Sequence, residues 1–253
     1  MQSTHDFMPL RRNLLLGLAS FSVGALAQNA PIRVAAASDL KFVLSELGAR
    51  FERETGLQLA ITYGSSGNLA RQLTQGLPMD LFLSADEALI DRLHKAGWAR
   101  DAGVVYARGR LAWVVPKNSQ AALDADLKGL KGHKGKLSIA NPEHAPYGRA
   151  ARAALQQAGL WDKLQPQLVL GENVSQAMQF VSTGAAQAAL VALTLASAPE
   201  LAARIRYTAV NPALHPPIIQ RMALQRNAGS GAQRFYEFLQ SPVAKQLFQQ
   251  HGL

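Results

Sequence analysis

The chain has 253 residues and no cysteine, and its 26 lysines and arginines against 17 aspartates and glutamates give a formal charge of +9. Hydrophobic residues make up 48% and charged residues 17%, a globular composition that excludes an intrinsically disordered chain. The lack of cysteine excludes disulfides, iron–sulfur clusters, cysteine-ligated zinc and thiol nucleophiles.

Residues 1–27 have the pattern of a cleaved export signal. Arg11-Arg12 provide the positive start, an apolar run from Leu14 to Leu26 follows, and Ala25-Leu26-Ala27 is an A-x-A cleavage site. The run is too short for a membrane-spanning helix. We therefore expect a protein of the bacterial periplasm, exported by either the Sec or the twin-arginine route.

Short apolar strands alternate with segments of helical spacing from residue 32 onward. The first unit is predicted to contain, in order, a strand at 32–37, a helix ending at Gly56, a strand at 59–63, a helix at 69–75, a strand at 80–84 and a helix ending at Ala96-Gly97. Such alternation predicts a mostly parallel sheet with helices on both faces.

The alternation restarts after an apolar strand at 110–115 and a loop rich in lysine and glycine. The later elements are predicted to be strands at 137–140, 167–170, 188–193 and 218–224, and helical segments at 147–158, 173–182 and 232–250. We therefore predict an α/β protein with two lobes and a ligand cleft between them. Lobe 1 comprises residues 28–109 and 216–253, lobe 2 comprises 110–215, and hinge crossovers lie near 108–110 and 210–217.

Small polar residues follow several predicted strands, at turns where helix N-termini present unpaired N–H groups and favour anions. These turns are Ser38-Asp39, Gly64-Ser65-Ser66-Gly67, Ser84-Ala85-Asp86, 141–148 and 171–175. An N-cap role accounts for any one turn alone, and we assign Ser84 and Asp86 to it. Similar turns in both lobes indicate a small-anion site in the cleft, since ligands bind beyond the carboxyl ends of parallel strands.

Other classes of function have weaker support in the sequence. Ser38-Asp39-Leu40-Lys41 fits the S-x-x-K motif of penicillin-recognising serine hydrolases, but the accompanying K-T-G and S-D-N motifs do not occur. The histidines lack metal-ligand spacing, so no metal-cation site is expected. Basic residues are scattered without interleaved aromatics, so no nucleic-acid partner is expected.

At these turns the chain resembles the periplasmic molybdate-binding proteins (ModA family) of ABC transporters. The resemblance rests on five segments in order: AAASDL at 35–40, YGSSG at 63–67, DLFLSAD at 80–86, NPEHAPYG at 141–148 and GENVS at 171–175. It implies a type II periplasmic binding protein fold without cofactor or catalysis. It further implies a monomer that passes molybdate or tungstate to an ABC permease in the inner membrane.

The resemblance also implies how a tetrahedral oxyanion is held, by hydroxyls and backbone N–H groups without a cationic side chain. The hydroxyls of Ser38 and Ser66 would donate from lobe 1, and the N–H groups of Tyr147 and Val174 would donate from lobe 2. Some members use a tyrosine hydroxyl where this chain has Ala192. We therefore expect the Tyr147 hydroxyl to replace it.

Asp39 would repel a dianion if its carboxylate faced the ligand. We expect this carboxylate to turn away and cap its own helix, with the Asp39 N–H towards the anion, whereas an inward carboxylate would favour phosphate. Sulfate, phosphate and organic acids remain alternative ligands. An organic acid would be expected to engage an arginine, for which Arg71 and Arg149 are nearby but on predicted helices.

Overall fold

A computed structural model describes Gln2 and residues 30–253, so the predicted cleavage site and most of the predicted export signal lie outside the described residues. The ten strands of the described residues are β1 (Ile32–Ala37), β2 (Leu59–Gly64), β3 (Leu81–Ser84), β4 (Val104–Gly109), β5 (Leu111–Pro116), β6 (Leu137–Ala140), β7 (Leu168–Gly171), β8 (Ala188–Ala192), β9 (Ile205–Ala209) and β10 (Ile218–Leu224). The nine α-helices of the described residues are α1 (Lys41–Thr55), α2 (Ser66–Thr74), α3 (Glu87–Lys95), α4 (Pro146–Gln157), α5 (Trp161–Leu164), α6 (Val174–Ser182), α7 (Leu193–Ala196), α8 (Ser230–Phe238) and α9 (Pro242–Gln250). Within residues 30–253, every helix is too short or too polar to traverse a bilayer.

The strands form two five-stranded sheets, with orders β2-β1-β3-β10-β4 and β7-β6-β8-β5-β9. This is the two-lobe α/β arrangement that the sequence predicts. Both sheets are mixed rather than mostly parallel: β1 is parallel to β2 and β3, but β10 is antiparallel to β3 and β4. The second sheet repeats this pattern, with β5 antiparallel to β8 and β9. The antiparallel pairs involve the strands at which the chain passes between the sheets, where no helical crossover enforces parallel pairing.

Helices cover both faces of the first sheet because β1 is apolar on both sides. Val34 and Ala36 pack with α1, α8 and α9, whereas Ala35 packs with α2 and α3. Phe51 of α1 and Phe235 of α8 have ring centroids 4.8 Å apart in the first of these layers. The packed layers hold the carboxyl ends of β1, β2 and β3 at one edge of the sheet, where the polar turns follow.

The described elements differ from the predicted ones at two strands, at one helical segment and at the short helices α5 and α7, which were not predicted. Strands β4 and β9 were not predicted; each is an edge strand with an arginine and part-exposed positions, so its apolar pattern is weak. The predicted helical segment at 232–250 is two helices. Ser241 accepts a hydrogen bond from Ala244 N (3.2 Å) as the N-cap of α9, and Pro242 is its first residue, so the chain begins a new helix there.

Candidate functional site

The five residues that the sequence predicts as ligands line one small cavity between the lobes. The cavity is far smaller than the pockets that hold drug-sized ligands, so it suits a small ion. The lobe 1 lining comes from the ends of β1, β2 and β3, and the lobe 2 lining from the start of α4 and α6. The lining residues are Ala37, Ser38, Asp39, Gly64, Ser65, Ser66, Ala85, Ala145, Pro146, Tyr147 and Val174.

Two buried serine hydroxyls face this cavity with unused protons. Ser38 Oγ accepts a hydrogen bond from Ser175 N (3.3 Å), and Ser66 Oγ accepts one from Ala85 N (3.0 Å). A hydroxyl that accepts a hydrogen bond still has its own proton to donate. Among residues 30–253, neither hydroxyl donates to a protein acceptor, so both remain available to a ligand oxygen.

Two backbone N–H groups from lobe 2 are equally available. Tyr147 is the second residue of α4 and Val174 is the first residue of α6, positions whose N–H groups have no partner within a helix. No acceptor for either N–H lies in the described part of the chain. The partial positive charge of these N-termini favours an anion, and the described lining contains no lysine, arginine or histidine.

The Asp39 side chain lies between the lobes instead of capping its helix. The N-cap positions of the 3-10 turn at Ser38–Leu40 and of α1 carry no side-chain cap, so the capping prediction is wrong. Asp39 Oδ2 accepts hydrogen bonds from Gln220 Nε2 (2.7 Å) and from the Tyr147 hydroxyl (3.1 Å). These two buried donors hold the carboxyl group inward, the arrangement that favours phosphate, so phosphate stays an alternative ligand to be titrated.

Burial controls the ionisation of Asp39 and of the two tyrosines near it, Tyr147 and Tyr106. Loss of water around Asp39 raises its pKa to about 6, although the hydrogen bonds from Gln220 and Tyr147 and the backbone N–H of Asp39 itself oppose the rise. Burial and the nearby Asp39 charge raise the pKa values of Tyr147 and Tyr106 well above 10, so both tyrosines stay neutral. Asp39 is therefore the group of this cluster that titrates near neutral pH.

The Tyr147 hydroxyl does not have a free proton for a ligand. It donates that proton to Asp39 and accepts a hydrogen bond from Gln220 Nε2 (3.1 Å). This geometry differs from the expectation that it replaces a hydroxyl missing at Ala192. Close to Ala192, Thr194 Oγ1 donates to the backbone oxygen of Asp39 (2.8 Å), so this turn of lobe 2 contacts the protein rather than the cavity.

The lobes are in contact around the cavity through a set of hydrogen bonds that we call the interlobe seam. Gly67 N donates to His144 O (3.0 Å), Ser65 Oγ lies 2.8 Å from His144 Nδ1, and Ser175 Oγ donates to Ser38 O (2.7 Å). Because each bond joins lobe 1 to lobe 2, the seam exists only when the cleft is closed.

Charged side chains add to the seam at its outer edge. Arg149 of α4 pairs with Asp86 of lobe 1 at 2.5 Å, and Asn68 of α2 donates to Glu172 of lobe 2. Arg71 is exposed. Neither arginine lines the cavity, so the fork that a planar organic carboxylate would engage is not in the described lining.

The sequence did not predict Gln220 and Tyr106, two buried residues that do not line the cavity but form hydrogen bonds next to it. Gln220 is fully buried and bridges Asp39 and Tyr106, whose hydroxyl donates to Gln220 Oε1 (2.7 Å). The sequence contains a signal for Gln220, because it is an uncharged polar residue at an inward-facing position of the apolar strand at 218–224. Lys41 of the S-x-x-K motif is exposed and donates its backbone N–H to Ser38 O, but within residues 30–253 no hydrogen bond joins its side chain to the Ser38 hydroxyl.

Comparison with known proteins identifies the family. The family model described as bacterial extracellular solute-binding protein matches residues 32–253. The molybdate-binding protein ModA of Rhodobacter capsulatus is 32% identical over 210 residues, 82% of this chain and 81% of that protein. This chain belongs to the ModA family of bacterial extracellular solute-binding proteins.

Further members of the ModA family match over nearly their whole length. ModA of Escherichia coli K12 is 32% identical over 95% of this chain and 96% of that protein. The solved periplasmic molybdate-binding protein of Azotobacter vinelandii superposes with a TM-score of 0.81 at 28% identity, covering 87% of this chain and 97% of its own. These matches confirm the resemblance and the two-lobe periplasmic binding protein fold. The relatives are named for binding rather than catalysis.

Proposed function

We propose that this protein captures molybdate, and also tungstate, in the periplasm and delivers it to an ABC permease. The observation that carries the proposal is the set of four unused neutral donors, two from each lobe, around one small cavity. The relatives named for molybdate binding support the same ligand. The ligand is cargo, and the protein needs no cofactor to hold it.

The donor set suits a fully deprotonated tetrahedral dianion. Hydrogen bonds to an ionised acceptor are shorter and stronger than neutral ones, so Ser38, Ser66, Tyr147 and Val174 can hold the charge with dipoles alone. The oxygens of a tetrahedral anion point away from one another. Donors that approach from two opposite lobes can therefore each reach a different oxygen. Sulfate has the same charge but shorter bonds, so we expect it to fit the four donors less closely and to bind more weakly.

Closure of the lobes would enclose the anion and present a single face to the permease. We propose that the chain bends at the crossovers near 108–110 and 210–217, where it passes between the two sheets. The interlobe seam then stabilises the closed form in a monomer.

Calorimetry of the protein lacking residues 1–27 tests the ligand directly, with molybdate, tungstate, sulfate and phosphate titrated separately. We expect tight binding of molybdate and tungstate, with a matching rise in the thermal unfolding temperature because a ligand stabilises the state that binds it. Clear binding of another anion without binding of these two would reject the assignment.

Removing either serine hydroxyl should weaken molybdate binding. Ser38→Ala and Ser66→Ala should each cost about 1–3 kcal/mol, because each removes a donor to an ionised oxygen. Titration calorimetry measures the change, and Ser230→Ala, an exposed serine at the start of α8, is the matched control. Affinity unchanged in both cavity variants would show that the anion binds elsewhere.

A further inference from the structure

We propose that Asp39 binds the dianion as a neutral carboxylic acid, with its Oδ1–H as a fifth donor, so that each captured anion brings one proton into the site. This inference rests on the proposed function and states how the same site avoids a third negative charge beside the dianion. The proton comes from solvent and bonds to Asp39 Oδ1, and no bond to the anion is made or broken.

The two carboxyl oxygens of Asp39 have different surroundings. Oδ2 accepts two hydrogen bonds, from Gln220 Nε2 at 2.7 Å and from the Tyr147 hydroxyl at 3.1 Å. Oδ1 is buried and, among the described residues, has no hydrogen-bond partner. Because Oδ2 already serves as the acceptor, a proton on the carboxyl group belongs on Oδ1.

A buried polar atom without a partner is costly, and Asp39 lines the cavity in which the anion is proposed to bind. An anion oxygen there is an acceptor for an Oδ1–H. An ionised Oδ1 would instead place a third negative charge beside the dianion in a poorly solvated space. The protonated acid therefore changes a repulsive contact into a donated hydrogen bond.

The groups packed around Asp39 include no cation that could hold it ionised. Tyr147 and Tyr106 face it from α4 and β4, and both remain neutral because burial raises their pKa values. Gln220 faces it from β10, and α6 and α7, which also pack against residues 38–40, carry no titratable side chain. Lys41 of α1 is exposed.

The ionisation of Asp39 itself agrees with this assignment. Burial raises its pKa to about 6, so at pH 7.5 most of the free closed form is ionised. A dianion beside Asp39 raises its pKa further, because nearby negative charge disfavours the carboxylate. Proton uptake on binding follows from this difference.

Calorimetry in two buffers of different ionisation enthalpy counts the protons. At pH 7.5 we expect the unmodified protein to take up about one proton per molybdate. Its Kd should rise by up to about tenfold per pH unit between about pH 7 and pH 8.5. Asp39→Asn supplies a permanent N–H donor of the same shape. It should bind molybdate with no proton uptake and a flat pH profile.

Asp162→Asn, which removes an exposed carboxylate on α5, is the matched control and should keep the proton uptake of the unmodified protein. The proton count of the unmodified protein decides the question even if Asp39→Asn fails to fold. Molybdate binding with no proton uptake would overturn this inference and leave the proposed function intact. Failure of the folded protein to bind molybdate at any pH, with phosphate bound instead, would overturn the proposed function.

Discussion

Gly67→Ala is expected to weaken molybdate binding by about 100-fold, on the order of 3 kcal/mol. A Cβ at Gly67 would lie 2.4 Å from the backbone oxygen of His144, closer than carbon and oxygen can approach. The contact joins α2 of lobe 1 to lobe 2, so the clash holds the lobes apart. Donors of one lobe then cannot reach an anion held by the other. Titration calorimetry measures the loss.

The control for this variant separates closure from folding. Gly229→Ala adds a methyl group in lobe 1 where nothing lies within 4 Å, so its affinity should match that of the unmodified protein. Without ligand, Gly67→Ala should unfold at nearly the same temperature as the unmodified protein, since the clash is between lobes. Full affinity in Gly67→Ala would show that binding does not require the seam.

Gly148→Ala is expected to destabilise lobe 2 and to weaken binding together. A Cβ at Gly148 would lie 2.2 Å from the oxygen and 2.8 Å from the carbonyl carbon of Ala140, so α4 must move away from β6. Overpacking of this kind costs about 1–3 kcal/mol or more. The shift also moves the adjacent Tyr147 N–H away from the cavity. Urea denaturation measures stability, and calorimetry measures affinity.

The expected change in stability for Gly148→Ala is opposite in sign to the change that helix propensity alone predicts. Alanine in a helix interior is favoured over glycine by about 1 kcal/mol, so an unobstructed site would become more stable. Gly132→Ala, which meets nothing within 4 Å in the same lobe, is the matched control and should change stability little. A gain in stability for Gly148→Ala would contradict the close packing of α4 on β6.

Much of the fold was predictable because its central strands are apolar and its helices have clear end signals. The predicted strand at 32–37 matches β1, and the helix predicted to end at Gly56 ends at Thr55 with Gly56 as its left-handed cap. Strands β4 and β9 could not be found this way, because an arginine and part-exposed positions interrupt the apolar pattern of each. Periodicity alone also did not separate α8 from α9.

The candidate site was predictable to the extent that its donors follow strands. The strand pattern predicted the polar turns, the family resemblance pointed to Ser38, Ser66 and Val174 within them, and the structure brings these residues to one cavity. The position of the Asp39 carboxyl group was not predictable, because it depends on Gln220 and Tyr147. These two partners are distant in the chain and come together only when both lobes are folded and in contact.

The proposed donors are divided between the two lobes, and this division affects how the anion is released. Ser38 and Ser66 belong to one half, and Tyr147 and Val174 belong to the other. Once the lobes separate, each keeps only two or three uncharged donors, which compete poorly with bulk water for a doubly charged ion. We therefore expect the anion to leave in one step when the cleft opens, because neither lobe alone has enough donors to hold it.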